Sequence, residues 1–144
     1  MNLTEFVIDN CVRQSATKPE DYIGMTLACK YGASLRNRFI IGIPVTNAPI
    51  TVDDILSLGT MVNGNDSWRP TPVYFFSGNL GAPPSEIDRL IKQLLDIQDD
   101  ITSEDFYYEF ERIHPFVDGN GRVGAILYNV LTGNFWTNPP EMTW

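Results

Sequence analysis

The chain contains one histidine, His114, and two cysteines, Cys11 and Cys29, which share no short spacing. No zinc cluster and no disulfide framework can be read from that set, and the two thiols are expected to stay reduced, as in a cytoplasmic protein. Basic residues are in the minority. Lys and Arg number 10 against 18 Asp and Glu, for a formal net charge of -8. Such a surface repels a phosphate backbone, which argues against broad nucleic-acid binding but leaves room for a local cation beside one nucleotide. No run of about 18 apolar residues exists to span a membrane. No basic segment leads an apolar run near the start, so no secretory signal is expected. Internal repeats and low-complexity tracts are also missing. The expected location is the cytoplasm, either of the cell that makes the protein or of a host cell that receives it as an effector.

At 144 residues, with 43% hydrophobic and 19% charged residues, the chain suits one domain with a real core. Residues 3–13 read as a short helix carrying Leu3, Phe6, Val7 and Val12. Pro19 opens a second helix, which runs to about Gly32 or Leu35. Residues 39–50 are apolar but interrupted by Pro44 and Pro49, and read as an irregular connection with some extended character. Thr51 followed by Asp54 is a capping box leading a helix that stops in Asn63-Gly64-Asn65-Asp66. Residues 71–77 are β-rich and run into Gly78-Asn79-Leu80-Gly81, which predicts a short hairpin or flap, with Pro72 at an edge.

Pro83-Pro84 start an amphipathic helix in which Ile87, Leu90, Ile91, Leu94 and Leu95 recur at helical spacing. Thr102 and Asp105 cap the next helix, with Phe106, Phe110 and Ile113 on one face. That helix must end near Ile113, because a residue before proline avoids the α region. Val123, Ile126, Leu127, Val130 and Leu131 then form a last helix, stopped by Gly133. The tail to Trp144 is Pro-rich and irregular. Its Trp136 and Trp144 suit packing back on the domain, with self-association as the other reading. The fold class is mostly α with one small β element. Its expected parts are N-terminal helices in 1–50, a core in 51–132 and a tail in 133–144.

The chemistry concentrates in residues 114–122, His-Pro-Phe-Val-Asp-Gly-Asn-Gly-Arg. Gly119, Asn120 and Gly121 can turn successive N–H groups toward an anion at the start of a helix. Arg122 can add a charge-assisted contact. His114, on a stiff helix exit, suits a proton acceptor near a phosphate. Asp118 can hold Mg²⁺, which takes one or two carboxylates and completes its shell with phosphate and water, or it can simply cap the helix. Phe116 is expected to point inward and anchor the loop.

This stretch resembles the signature of the Fic family within the Fic/Doc superfamily, His-Pro-Phe-x-Asp/Glu-Gly-Asn-Gly-Arg-x-x-Arg. His114, Pro115, Phe116, Asp118, Gly119, Asn120, Gly121 and Arg122 all fit it. The resemblance extends upstream through Thr51–Val62, Trp68-Arg69-Pro70, Val73-Tyr74-Phe75 and Pro83-Pro84 with Ile87, so it covers about residues 51–132. It implies a helical Fic fold and transfer of AMP, or another nucleotidyl group, from a Mg²⁺-bound nucleotide such as ATP to a Ser, Thr or Tyr hydroxyl of a protein. In that reading His114 is the base and Asp118 the metal ligand. Gly119, Asn120, Gly121 and Arg122 support the phosphates. A flap of Val73, Tyr74, Phe75 and Phe76 aligns the target segment.

One position departs from the pattern. The final arginine is replaced by Ala125. Another cation such as Arg69, Arg89, Lys92 or Arg112 can take its place, or the nucleotide can sit differently, or activity can be lost. Two alternatives to nucleotidyl transfer therefore stay open. One is a phosphotransferase like the Doc branch, which also lacks this arginine but carries lysine where this chain has Gly121. The other is a degenerate Fic fold that binds without catalysis. Many relatives carry an inhibitory Ser/Thr-x-x-x-Glu-Gly/Asn helix. Here Thr137 and Glu141 have the spacing, but Pro139 and Pro140 between them oppose a helix. Control is therefore expected from a separate protein, if from any.

Overall fold

The computed structural model describes residues 1–40, 43–46, 49–75 and 78–142. Phe76, Ser77 and Trp144 lie outside this set. Among the described residues, six α-helices and one two-stranded sheet make up the regular structure: α1 (Leu3–Arg13), α2 (Pro19–Ser34), β1 (Asn37–Ile40), β2 (Ile43–Thr46), α3 (Val52–Asn63), α4 (Ile87–Asp96), α5 (Ser103–Ile113) and α6 (Asn120–Thr132). The helix limits follow local chemistry. Asn2 and Glu5 close a capping box on α1, and Thr51 and Asp54 do the same on α3, which ends at left-handed Gly64. Pro84–Glu86 form a 3₁₀ turn that feeds α4.

α6 is the centre of the molecule. Every residue from Arg122 to Val130 is buried, as a helix enclosed on all sides requires. It packs against α1, α2, α3 and α5. Phe6, Met25, Ile55, Leu58, Phe106 and Phe110 are fully enclosed around it, with Val123 and Ile126 of α6 itself. α4 lies outside α5, burying Ile87, Ile91 and Leu94 from its single apolar face.

The irregular connection expected at 39–50 is instead partly an antiparallel hairpin, pairing Asn37 with Thr46 and Ile40 with Ile43. Pro44 is compatible with it because a two-stranded sheet has only edges, where a missing N–H need not break a ladder. The hairpin is tied to the start of α3. Arg38 donates to the Asp54 carboxylate at 2.7 Å and to the Pro49 carbonyl at 3.2 Å, and the Tyr31 hydroxyl donates to Asp54 at 2.8 Å. The flap is present as a tight reversal with one bridge, Tyr74 to Leu80. Phe75 N–H donates to Asn79 O at 2.8 Å and Gly81 N–H to Val73 O at 3.0 Å.

The tail is irregular, as expected, and packs back on the domain. The Trp136 ring stacks on Phe6 at 5.0 Å, and Asn129 of α6 exchanges two 2.8 Å hydrogen bonds with the Thr137 backbone. Asn138 then donates to Asp9 at 2.8 Å.

Candidate active site

His114 is the C-cap of α5, in the left-handed region at φ 53°. Pro115 forbids another helical turn. The departure costs a side chain about 1 kcal/mol, and a dense set of hydrogen bonds around it offsets that cost. The His114 N–H donates to Phe110 O at 3.0 Å. Its own carbonyl accepts Arg69 Nε at 2.6 Å. The imidazole is half-buried, and Phe75 of the flap stands edge-on to it at 5.3 Å. Nδ1 faces the Glu111 carbonyl at 3.3 Å. A carbonyl only accepts, so Nδ1 carries the proton and Nε2 is the basic nitrogen. Burial, aided by the Arg69 charge, pushes the ring's pKa below its ordinary value, against the Glu111 carbonyl and Asp118. The ring is therefore neutral at pH 7.

The loop that follows is built from inside. Phe116 is fully buried, as expected, against Trp68. The buried Asn120 amide closes both backbone groups of Phe116, donating to its carbonyl and accepting from its N–H, each at 2.8 Å. Gly119 takes φ 85°, and among the described residues no side chain caps the start of α6. That conformation favours glycine and leaves the helix N-terminus suited to an anion. Arg122 lies beneath the loop. It is 1% exposed and sits 3.7 Å from Asp118 and 3.9 Å from Asp21, with Nε buried and unpartnered among the described residues. The Asp118 side chain is 66% exposed and accepts from Asn63 at 3.1 Å.

A cavity of about 720 Å³ opens between these elements. Of the residues singled out in the sequence, His114, Gly121, Ala125, Tyr74, Phe75 and Glu141 line it. Gly119, Asn120, Asp118, Arg122 and Val73 flank that wall without lining it. The cation proposed to replace the missing arginine is none of the four named above. Arg69 is buried and spends its guanidinium on the carbonyls of Thr71, Ala82, Ile113 and His114. Arg89, Lys92 and Arg112 pair with Glu86, Asp88 and Glu109 on the outer faces of α4 and α5.

Among the described residues, the cation that does line the cavity is Arg13, at the end of α1 and paired with Asp9 at 2.6 Å. Sequence reasoning missed it, together with Gln14, Tyr107 and Glu111. Gln14 covers the anion loop, since a Cβ on Gly121 would meet its amide at 2.6 Å. Only Glu111 left a trace in the sequence, three residues before His114 on the same helix face.

The profile of the Fic/DOC family matches residues 49–132. The chain belongs to that family. It is 30% identical over 134 residues to the protein adenylyltransferase Fic of Drosophila willistoni, and 31% identical over 134 residues to that of Drosophila melanogaster. Each match covers 82% of this chain and 25% of the relative, so the chain spans a quarter of those relatives' length.

Among solved structures, a Fic-domain signalling protein from Bacteroides thetaiotaomicron superposes with TM-score 0.64 at 18% identity. That match covers 89% of this chain and 59% of the other. Fic-1 from C. elegans superposes with TM-score 0.62 at 22% identity, over 94% and 47%. At these identities the likeness establishes the fold alone.

Proposed function

We propose that this Fic/DOC chain transfers a nucleotidyl group, AMP from ATP in the simplest case, to a hydroxyl of a protein target. The observation that carries the reading is a neutral imidazole with a defined tautomer in one cavity with the uncapped start of α6. His114 Nε2 takes the proton of a Ser, Thr or Tyr hydroxyl. The freed oxygen forms a bond to the α-phosphorus, the bond from that phosphorus to the bridging oxygen breaks, and pyrophosphate leaves with its electron pair.

The N-terminus of α6 at Gly119, Asn120 and Gly121 stabilises charge on the phosphoryl oxygens. Arg122 holds the loop from below, and Arg13 supplies the cation at the cavity that Ala125 cannot. The flap residues Val73, Tyr74 and Phe75, with Phe76 beyond the described set, position the target. Tyr74 is 74% exposed there.

The donor set also fits Mg²⁺. Among the described residues no cluster of three potential ligands exists, but one exposed carboxylate beside an anion site is what this ion needs when phosphates complete its shell. Asp118 would hold it, and it would neutralise phosphate charge. A cytoplasmic setting and control by a separate inhibitor remain part of this reading. Among the described residues, no helix is long and apolar enough to cross a membrane.

The test incubates the protein with Mg²⁺ and a cell lysate, with ATP labelled at the α-phosphate in one tube and at the γ-phosphate in another. Label on protein from the α tube alone, lost in His114→Ala, supports nucleotidyl transfer. Label from the γ tube alone assigns phosphotransfer. The alanine at 125 is what keeps that second reading, and a binding-only role, worth testing.

A further inference from the structure

Glu111 is unused by the chemistry above and has no obvious structural reason to be a carboxylic acid. It is 4% exposed, and its Oε1 is buried with no hydrogen-bond partner among the described residues. An unpaired buried oxygen of this kind carries a desolvation cost unless something meets it. The fold nevertheless makes room for it. A Cβ on Gly124 of α6 would stand 2.3 Å from Oε1, so the carboxyl in its present rotamer occupies the space that glycine leaves open. Glu111 also lines the cavity that holds His114 and Gly121.

The titratable and charged groups that line the cavity with it are Tyr107 and His114 from its own helix, Arg13 from α1, Tyr74 from the flap and Glu141 from the tail. α6 contributes Gly121, Gly124 and Ala125, and no charge. Burial pushes the Glu111 pKa up to about 8, so the group is a hydrogen-bond donor at pH 7.

We propose that Glu111 contacts the bound nucleotide, its carboxyl donating an O–H···O hydrogen bond to a phosphate oxygen on the wall where Ala125 leaves α6 without a cation. The inference rests on the nucleotidyl-transfer reading and names a residue that reading does not include. A phosphate at this distance disfavours ionisation of the carboxyl, so the ligand and the protonated form stabilise each other. At higher pH the ionised carboxyl repels the same phosphate.

The test titrates a non-hydrolysable ATP analogue with Mg²⁺, and separately magnesium pyrophosphate, into the wild-type protein, Glu111→Gln and Glu111→Ala. Calorimetry follows binding from pH 6.5 to 9, and circular dichroism checks that each variant is folded. Wild-type affinity should fall by about tenfold between pH 7 and pH 9, the scale of one charge-assisted hydrogen bond. Glu111→Gln, which keeps a donor, should bind within about threefold of wild type at pH 7 with no pH step. Glu111→Ala should bind about tenfold more weakly at pH 7.

Equal affinity and an equal pH profile in wild type and Glu111→Ala would overturn the proposal, as would a pH step that persists in Glu111→Gln. Failure of the wild type to bind either probe would sink both this proposal and the transfer reading. Binding that depends on Glu111, in a protein that transfers no label from α-labelled ATP, would support the contact and remove the transfer reading alone.

Discussion

The proposed role of His114 asks one imidazole to be held still and also to stay basic. The left-handed cap and the Glu111 carbonyl at Nδ1 do the first, and burial keeps the ring neutral for the second. Replacing His114 by Ala should reduce label transfer by at least about 100-fold, the usual scale for a general base, with nucleotide affinity nearly unchanged. Because the folded pKa lies below 6.5, the base is available at pH 7 and is lost as pH falls through that lower value. The rate of transfer should therefore fall on the acid side with a slope of one proton, measured from pH 5 to 7.5.

Glu111 has the opposite linkage. Its folded pKa of about 8 exceeds the ordinary 4.5, so between those values the unfolded chain releases a proton that the folded chain retains. Stability should decline as pH rises through that window and level off above it. At about 1.4 kcal/mol per pKa unit the decline has an upper bound of about 5 kcal/mol. Urea denaturation of Glu111→Gln at pH 5 and pH 8.5 should show a much smaller difference than wild type.

Among the elements, the flap and the exit of α5 are joined by one buried side chain. Arg69 reaches the carbonyls of Thr71 and Ala82 on the flap side and of Ile113 and His114 on the helix side. Its backbone N–H also donates to Pro115 O at 2.8 Å. The residue looks like a spare cation in the sequence, but its charge is consumed in holding the His114 exit and the flap in register. Arg69→Met should cost about 3 kcal/mol, from several charge-assisted bonds lost and carbonyls left buried. It should also speed amide hydrogen exchange at Phe75 and Gly81, while a distant helix such as α2 stays protected. Unchanged exchange in the flap would mean that Arg69 does not hold it.

Over the whole molecule, the N-terminal helix and the tail complete a cavity whose chemistry begins in the family core. α1 and its C-cap bring Asn10, Arg13 and Gln14, and the tail brings Pro139, Pro140, Glu141 and Met142. The tail depends on Asn129, fully buried in α6 and bonded to both backbone groups of Thr137. Asn129→Ala should destabilise by about 2 kcal/mol, lower Tm by several degrees, and raise protease sensitivity after Trp136. Arg13→Ala should weaken binding of the Mg²⁺–ATP analogue several-fold without lowering Tm, since its partner Asp9 is exposed.

Local signals determined much of this protein. Capping boxes, prolines and 3.6-residue periodicity placed the helices close to their observed limits, because each depends on neighbours in the chain. The run from His114 to Arg122 carried its own geometry, since Pro115 stops α5 and Gly119 starts α6. The hairpin at 37–46 was less legible because its register is set by pairing and by Arg38 meeting Asp54, sixteen residues away. The tertiary structure alone decided which charges enter the cavity. It took Arg69 out of contention, brought in Arg13 from the opposite end of the chain, and set Glu111 Oε1 against Gly124 with no hydrogen-bond partner among the described residues. Those outcomes depend on helix packing across α6, which no local spacing encodes.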